Sequence, residues 1–223
     1  DQWIPDNPLG IGDHGYEDDA PMGATTGARR VVCDGITIDS PESVAEHLER
    51  FAIPRMQEAA RKWQDDPGKH AGEAVRNILA GEREIQELFG ADIVKAPYGV
   101  AGFPCLPYYT YGYQNYFMAY ALYPDVMERD FKAQADYHAL RNRAVAQAYA
   151  AGGLPPVLRL DHDIADSRGT LVDVKSLDRI WFPHFARSLA PILAAGVKTI
   201  WHCDGNLMQM VPRLLDAGLK GFQ

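Results

Sequence analysis

Apolar residues follow two different spacings in the second half of the chain. Between Pro124 and Gly152 they recur at helical spacing, which predicts one long helix. The runs "PPVLRLDHD", "VKTIWH" and "LKGFQ" are short and contain apolar residues without helical spacing, so they predict strands, with helices expected over 177–195 and 206–217 between them. This alternation predicts parallel strands joined by crossover helices and therefore an α/β fold.

The first half of the chain is less regular. Residues 1–40 are rich in Gly, Pro and Asp and predict an irregular region, apart from a hairpin that turns at Asp34-Gly35. A helix is expected to begin at Pro41, another to end at Gly90, and "ADIVKAPYG" predicts a short buried strand. We expect one domain over residues 1–223, built from β/α units after residue 40.

Composition narrows the possible partners. The 223 residues carry a formal net charge of -8, which argues against a nucleic-acid surface, because such surfaces cluster Lys and Arg. No apolar run approaches the roughly 20 residues of a membrane helix, so no membrane partner is expected. The three cysteines are widely spaced and form no disulfide framework, which favours a cytoplasmic location. The expected partner is a small-molecule substrate.

Polar residues cluster at the ends of two predicted strands. The clusters are Asp161, His162, Asp163, Asp166 and Arg168 after the first strand, and His202, Cys203, Asp204 and Asn206 after the second. The carboxyl ends of parallel strands form the active-site mouth of α/β folds. Side chains two apart on a strand share a face, so His202 and Asp204 are predicted to point the same way. Asp163 is expected beside them, from the neighbouring strand.

These clusters supply the candidate site residues. Asp163, His202 and Asp204 are candidate catalytic groups and metal ligands, since carboxylates held close together repel unless a cation intervenes. Arg168 is the candidate charge partner of Asp163 or Asp166. The candidate substrate-binding residues are Asn206 and three tyrosines of a Gly/Pro-bearing segment, Tyr109, Tyr111 and Tyr113. The alternative for the remaining cluster members is structural: His162 and Cys203 as packing residues, Asp161 and Asp166 as loop caps.

The segment from Asp161 to Gln223 resembles the uroporphyrinogen decarboxylase superfamily. The shared features are an Asp-rich strand end followed by Gly, a Pro in the next helix ("WFPHF"), a strand closing on "HxxGN" and a helix leading to "LLDAG". The resemblance implies a (β/α)8 TIM barrel. Because a whole barrel needs about 250 residues, we expect the barrel to be incomplete in this chain, lacking C-terminal units and some N-terminal sequence.

The resemblance also implies a chemistry. The superfamily includes cobalamin- and coenzyme-M-linked methyltransferases, which hold zinc through an "HxC" motif and a later Cys. His202 matches that His, whereas Asp204 stands where the Cys would be. We therefore expect a methyltransferase with a His/carboxylate site for Zn or another divalent metal, acting on a small methylated donor or a methylcorrinoid. The corrinoid would be carried by a partner protein, and the chain would form a homodimer.

Two alternatives stay open. The first is a cofactor-independent decarboxylase of the uroporphyrinogen type, in which Asp163 would stabilise positive charge developing on a protonated ring. The excess of acidic residues in the chain argues against this decarboxylase, because its substrate carries eight carboxylates. The second alternative is a non-catalytic barrel that binds a small molecule or a corrinoid protein.

Overall fold

The computed structural model describes residues 19–20 and 30–223, with side chains from Val31 onward. Residues 1–18 and 21–29, most of the predicted irregular region, lie outside the described residues. The structure is mixed α/β with helices predominating, and the chain forms two compact units. One contains the described residues up to Arg55 together with Leu106–Asp130, and the other contains Met56–Cys105 and Phe131–Gln223. The single-domain interpretation stays a prediction.

The described residues form nine α-helices and one π-helical turn, more than the five helices that the patterning predicts, and several boundaries differ. They are α1 (Pro41–His47), a π-helical turn (Leu48–Ala52), α2 (Ile53–Asp65), α3 (Pro67–Phe89), α4 (Tyr108–Tyr111), α5 (Tyr113–Leu122), α6 (Pro124–Gly152), α7 (Val174–Ile180), α8 (Phe182–Ala194) and α9 (Val211–Asp216). Ser40 caps α1 ahead of Pro41, and α3 ends at Gly90, as predicted. None of these helices is long and apolar enough to cross a membrane.

The first unit holds a small sheet of β1 (Asp19–Ala20), β2 (Arg30–Cys33) and β3 (Ile36–Thr37). Strand β1 is parallel to β2, which pairs antiparallel with β3. The predicted hairpin is confirmed: Asp34 and Gly35 have φ values of 51° and 81°, the left-handed pair that two-residue hairpin turns require.

The second unit holds three parallel strands in the order β4 (Val157–Asp161), β5 (Lys198–His202) and β6 (Gly221–Phe222). Helices α7 and α8 connect β4 to β5, and α9 connects β5 to β6, so the predicted parallel alternation is confirmed. A single parallel bridge from Tyr98 to Arg159 adds a fourth segment beside β4. The described residues form no closed barrel, and the TIM barrel stays a prediction.

The structure differs from the sequence prediction at three elements. "ADIVKAPYG" is not a buried strand, because Val94 is 72% exposed and only Tyr98 pairs with the sheet. The predicted helix over 177–195 divides at Trp181, since the ring of Pro183 removes the bond to the carbonyl four residues earlier. Helix α9 begins at Val211 rather than at residue 206, after a turn in which Asn206 Oδ1 accepts a bond from the Met208 N–H.

The two faces of the second sheet differ. Leu158 and Leu160 of β4 and Trp201 of β5 are buried, and Trp201 packs edge-on against Phe185 of α8 with ring centroids 5.4 Å apart. Alternate residues, including Arg159, Asp161 and His202, lie half-buried on the opposite face. The polar strand ends therefore lie on the face that these helices leave open.

Candidate metal centre

Three potential ligands converge where β4 and β5 end. Asp161, Asp163 and His202 each offer one ligand atom, and these atoms all lie within 4.8 Å of one another. The parallel register places Asp161 directly beside His202, and Asp163 follows two residues later. Two adjacent strands and the residue after one of them thus bring two carboxylates and one imidazole together.

Neighbouring side chains hold the carboxylate of Asp161 in place. The hydroxyl of Tyr98 donates to Asp161 Oδ2 at 2.9 Å, and Arg159 Nη2 lies 3.1 Å from the same oxygen. The guanidinium of Arg159 also lies over the Tyr98 ring, 4.7 Å from its centroid. The hydrogen bond to Asp161 raises the pKa of Tyr98, so this phenol stays protonated and keeps donating. Oδ1 is left as the oxygen that can face an ion.

Asp204 does not belong to the group of three ligand atoms. Its backbone N–H donates to Asp163 Oδ1 at 2.8 Å, whereas its own carboxylate is 87% exposed and lies 3.6 Å from His202 Nε2. The expected trio of His202, Asp204 and Asp163 therefore differs from the observed one, in which Asp161 takes the third place. The physical reason is that β5 ends at His202, after which the two-residue alternation no longer holds.

Gly205 allows the loops after β4 and β5 to touch. Its φ is 126°, and a Cβ built there would lie 2.7 Å from the carbonyl oxygen of Ala165. The next residue, Asn206, donates its backbone N–H to Asp166 O at 2.7 Å. The amide oxygen of Asn206, a predicted substrate-binding group, is used within its own loop as the cap for Met208.

Arg168 neutralises Asp166, one of the two partners predicted for it. Its Nε and Nη2 atoms lie 3.1 and 2.7 Å from Asp166 Oδ2. Asp166 also accepts the backbone N–H groups of Arg168 and Gly169, and these bonds, with the guanidinium first, lower the pKa of this carboxyl. Asp166 is thus the loop cap that the structural alternative proposed. Arg159, not Arg168, is the guanidinium that lies against Asp161.

His162 and Cys203 lie on the buried side of the sheet, as the packing alternative predicted. Burial lowers the pKa of His162 to about 4, so the ring stays neutral at physiological pH. Burial likewise raises the pKa of the Cys203 thiol, whose Sγ accepts the Ile164 N–H at 3.4 Å. A thiolate ligand from Cys203 does not fit this environment.

The predicted substrate-binding tyrosines belong to the first compact unit. They lie in helices α4 and α5 rather than in an irregular loop. Tyr111 is buried, and its hydroxyl lies 2.8 Å from His47 Nδ1. Tyr109 and Tyr113 are about half exposed on either side of the Tyr108 ring. Their part in substrate binding stays a prediction.

The donor set fits a divalent metal ion. Two carboxylates and one imidazole suit Zn²⁺, Mn²⁺ or Fe²⁺ better than soft ions that prefer thiolates. In the described part of the chain His202 Nδ1 is buried without a hydrogen-bond partner, so one ring nitrogen has an unused lone pair or proton. Three protein ligands would leave coordination positions for water or substrate, as catalytic sites require.

No protein-family model, no curated protein and no solved structure matches this chain. The likeness to the uroporphyrinogen decarboxylase superfamily therefore rests on the motifs quoted from the sequence.

Proposed function

We propose that the chain is a metal-dependent enzyme of the uroporphyrinogen decarboxylase superfamily, with Asp161, Asp163 and His202 as the ligands of one divalent ion. One observation carries this proposal: three ligand atoms lie within 4.8 Å of one another at the ends of two adjacent parallel strands. Such strand ends are where α/β enzymes place their reacting groups.

Methyl transfer to a thiol is the reaction class that the resemblance favours. When bound, the ion would supply Lewis acidity that lowers the pKa of a thiol acceptor. Tyr98 and Arg159 hold Asp161, and the Asp204 N–H holds Asp163, so the two carboxylates that would bind the ion are fixed in orientation. The exposed Asp204 carboxylate, 3.6 Å from His202 Nε2, is placed to accept a proton at the mouth of the site. The methyl donor would be a small methylated compound or a methylcorrinoid.

Metal content and affinity test the assignment of the ligands. Freshly purified protein should contain about one equivalent of a divalent metal by elemental analysis. After EDTA has removed this metal, Zn²⁺ and Mn²⁺ should bind again, as measured by calorimetric titration. Asp161→Asn should weaken binding by about 100-fold or more, because an anionic ligand is lost from the first coordination shell. Asp204→Asn, the matched control two residues beyond β5, should change affinity by less than about threefold, since its carboxylate is exposed and screened.

The outcomes separate the candidate functions. Equal effects of Asp161→Asn and Asp204→Asn would show that the ligand set is wrong. Metal-free protein that converts a porphyrinogen would favour the decarboxylase alternative, with Asp161 and Asp163 acting as anions beside the substrate. Protein that binds metal but transfers no methyl group to any thiol tested would contradict the reaction class while leaving the metal centre in place.

A further inference from the structure

A second concave site lies away from the metal ligands, among helices α2, α6 and α8. It is a groove of about 690 Å³. Pockets that hold small organic ligands have about 300 to 1,000 Å³, so the groove is large enough for such a ligand. None of the residues of the metal centre lines it.

The walls of this groove are positively charged. Arg61 of α2, Arg143 of α6 and Arg187 of α8 line it, and Asp136 is its one acidic residue. Arg187 is paired with Asp136, which Lys132 also contacts at 2.9 Å. In the part of the chain that the structure describes, Arg61 and Arg143 have no carboxylate within 4.0 Å. This positive groove contrasts with the net charge of -8 of the whole chain.

The floor of the groove is apolar. Ala60, Ala139 and Leu140 line it together with Ala190 and Pro191 of α8. Small side chains at these positions leave space between the three helices that larger residues would fill. The groove thus combines an apolar surface with two cationic groups that form no ion pair within 4.0 Å among the described residues, although Glu58 lies near enough to Arg61 to interact with its charge.

A backbone acceptor adds polarity at one wall. Pro191 lies inside α8 and has no N–H, so the Arg187 carbonyl receives no helical hydrogen bond from position 191. The amides of Gln57 and Gln64 provide donors and acceptors on the α2 side. A ligand held here could therefore be oriented by hydrogen bonds as well as by charge.

We propose that this groove binds an organic oxyanion, a phosphate or carboxylate group attached to a compact apolar body. Arginine presents parallel N–H donors that match two oxygens of such a group, and these charge-assisted bonds are stronger than neutral ones. The anion would lie between Arg61 and Arg143 and relieve the repulsion between like charges that share one groove. The apolar body would cover Ala139, Leu140 and Pro191.

Calorimetric titration with phenyl phosphate, phenylacetate, phenol and inorganic phosphate tests this inference. The protein is first treated with EDTA, so that no anion can bind through a metal at Asp161, Asp163 and His202. The test variants are Arg61→Gln and Arg143→Gln. Arg50→Gln, an exposed arginine of the first unit that pairs with Glu46, is the control with the same change in charge. Thermal unfolding confirms that each variant is folded.

Phenyl phosphate, phenylacetate or both should bind, more tightly than inorganic phosphate, whereas phenol should not. The comparison of the two aryl anions identifies the oxyanion. Arg61→Gln and Arg143→Gln should each weaken binding by about tenfold or more, since each removes a charge-assisted contact. Arg50→Gln should stay within about twofold, and added salt should weaken binding to the unmodified groove. Unchanged affinity in both groove variants, or phenol binding as tightly as its phosphate ester, would overturn the proposal.

Discussion

Each compact unit joins a histidine, an aspartate, a tyrosine and an arginine, and the two sets differ in how completely they are bonded. In the first unit His47 is 1% exposed, and its Nδ1 and Nε2 atoms lie 2.8 Å from Tyr111 Oη and Asp34 Oδ2. Arg55 binds both oxygens of Asp34. Both ring nitrogens and both carboxylate oxygens of this network therefore have a protein partner.

The set in the second unit is open. Tyr98 and Arg159 bind Asp161 Oδ2, but His202 Nδ1 has no partner among the described residues. His202 Nε2 lies 3.6 Å from Asp204, which is too far for a hydrogen bond. The His202 side chain is 23% exposed, so solvent or a ligand can reach part of the ring, although Nδ1 itself is buried. Identical residue types thus form a closed network in one unit and an incomplete one in the other.

The closed set of the first unit is suited to stabilising the fold, and the open set of the second unit is suited to binding a ligand. A network around a buried histidine, in which both ring nitrogens and both carboxylate oxygens have partners, contributes to folding and offers no ligand atom to a second partner. A half-exposed cluster with unused donors and acceptors contributes little to folding and can bind an ion. Residue type alone indicates neither role, whereas substitution of matching residues in the two sets distinguishes them.

The largest effect is expected for His47→Ala. The substitution leaves a cavity and deprives the Tyr111 hydroxyl, and in part Asp34, of a partner. It should lower the free energy of unfolding by about 3 kcal/mol, measured by urea denaturation. Zinc affinity of the folded variant should stay within about twofold of the unsubstituted protein. A loss below about 1 kcal/mol would show that the network is not a major source of stability.

His202→Ala should show the opposite pattern. Removing the only imidazole of the metal centre should reduce zinc affinity by about 100-fold or more and abolish activity. The partly exposed ring leaves a smaller cavity than His47 does, so the free energy of unfolding of the metal-free variant should fall by less than about 1 kcal/mol. A destabilisation as large as that of His47→Ala would mean that His202 is a packing residue.

A pair of tyrosine substitutions sharpens the comparison at the level of one hydroxyl. Tyr98→Phe removes the donor to Asp161 Oδ2 and should weaken zinc binding by about tenfold, the range typical for groups that orient a ligand. Tyr111→Phe removes the hydroxyl bonded to His47 and should instead cost about 1 to 2 kcal/mol of unfolding free energy, with zinc affinity unchanged. If both substitutions changed only zinc affinity, or both changed only the free energy of unfolding, the two tyrosines would not have separate roles.

The strand ends were predictable because their signal is local. Short runs rich in apolar residues end at Asp161 and His202, and the helical segment between them indicates a parallel direction, so neighbouring polar strand ends follow from patterning alone. Asp34-Gly35 is likewise a local signal, since its turn needs two residues that tolerate positive φ.

The rest of the site depends on contacts between distant parts of the chain. Tyr98 and Asp161 are 63 positions apart, and His47 and Tyr111 are 64 apart, so no spacing indicates either pair. The direction of Asp204 depends on how Gly205 packs against Ala165, which strand alternation does not describe. The exposure of Val94 shows the same limit, because an apolar run predicts a buried strand only where a sheet is available to receive it.

The smallest expected effect is that of Asp34→Asn on the free energy of unfolding, and this effect depends on pH. The guanidinium of Arg55, and then the ring of His47, lower the pKa of Asp34 to about 2. A carboxyl with a pKa of about 3.9 in the unfolded chain stabilises the folded state fully above that value. The contribution is then lost as the pH falls toward 2.

Asp34→Asn keeps a side chain that tolerates the left-handed turn conformation but removes the charge. At pH 7 it should lower the free energy of unfolding by about 1 kcal/mol, a value reduced by the exposure of Arg55 to solvent.

The difference from the unsubstituted protein should shrink between about pH 4 and pH 2, where Asp34 itself becomes protonated. Arg55 keeps its charge throughout this range, and the raised pKa values of Tyr111 and Cys33 keep both groups neutral, so the protonation of Asp34 decides the result. Urea denaturation at pH 7, 4 and 3 measures the difference. A constant difference across these pH values would show that the Asp34 charge does not stabilise the closed network, and that its hydrogen-bonding shape alone does.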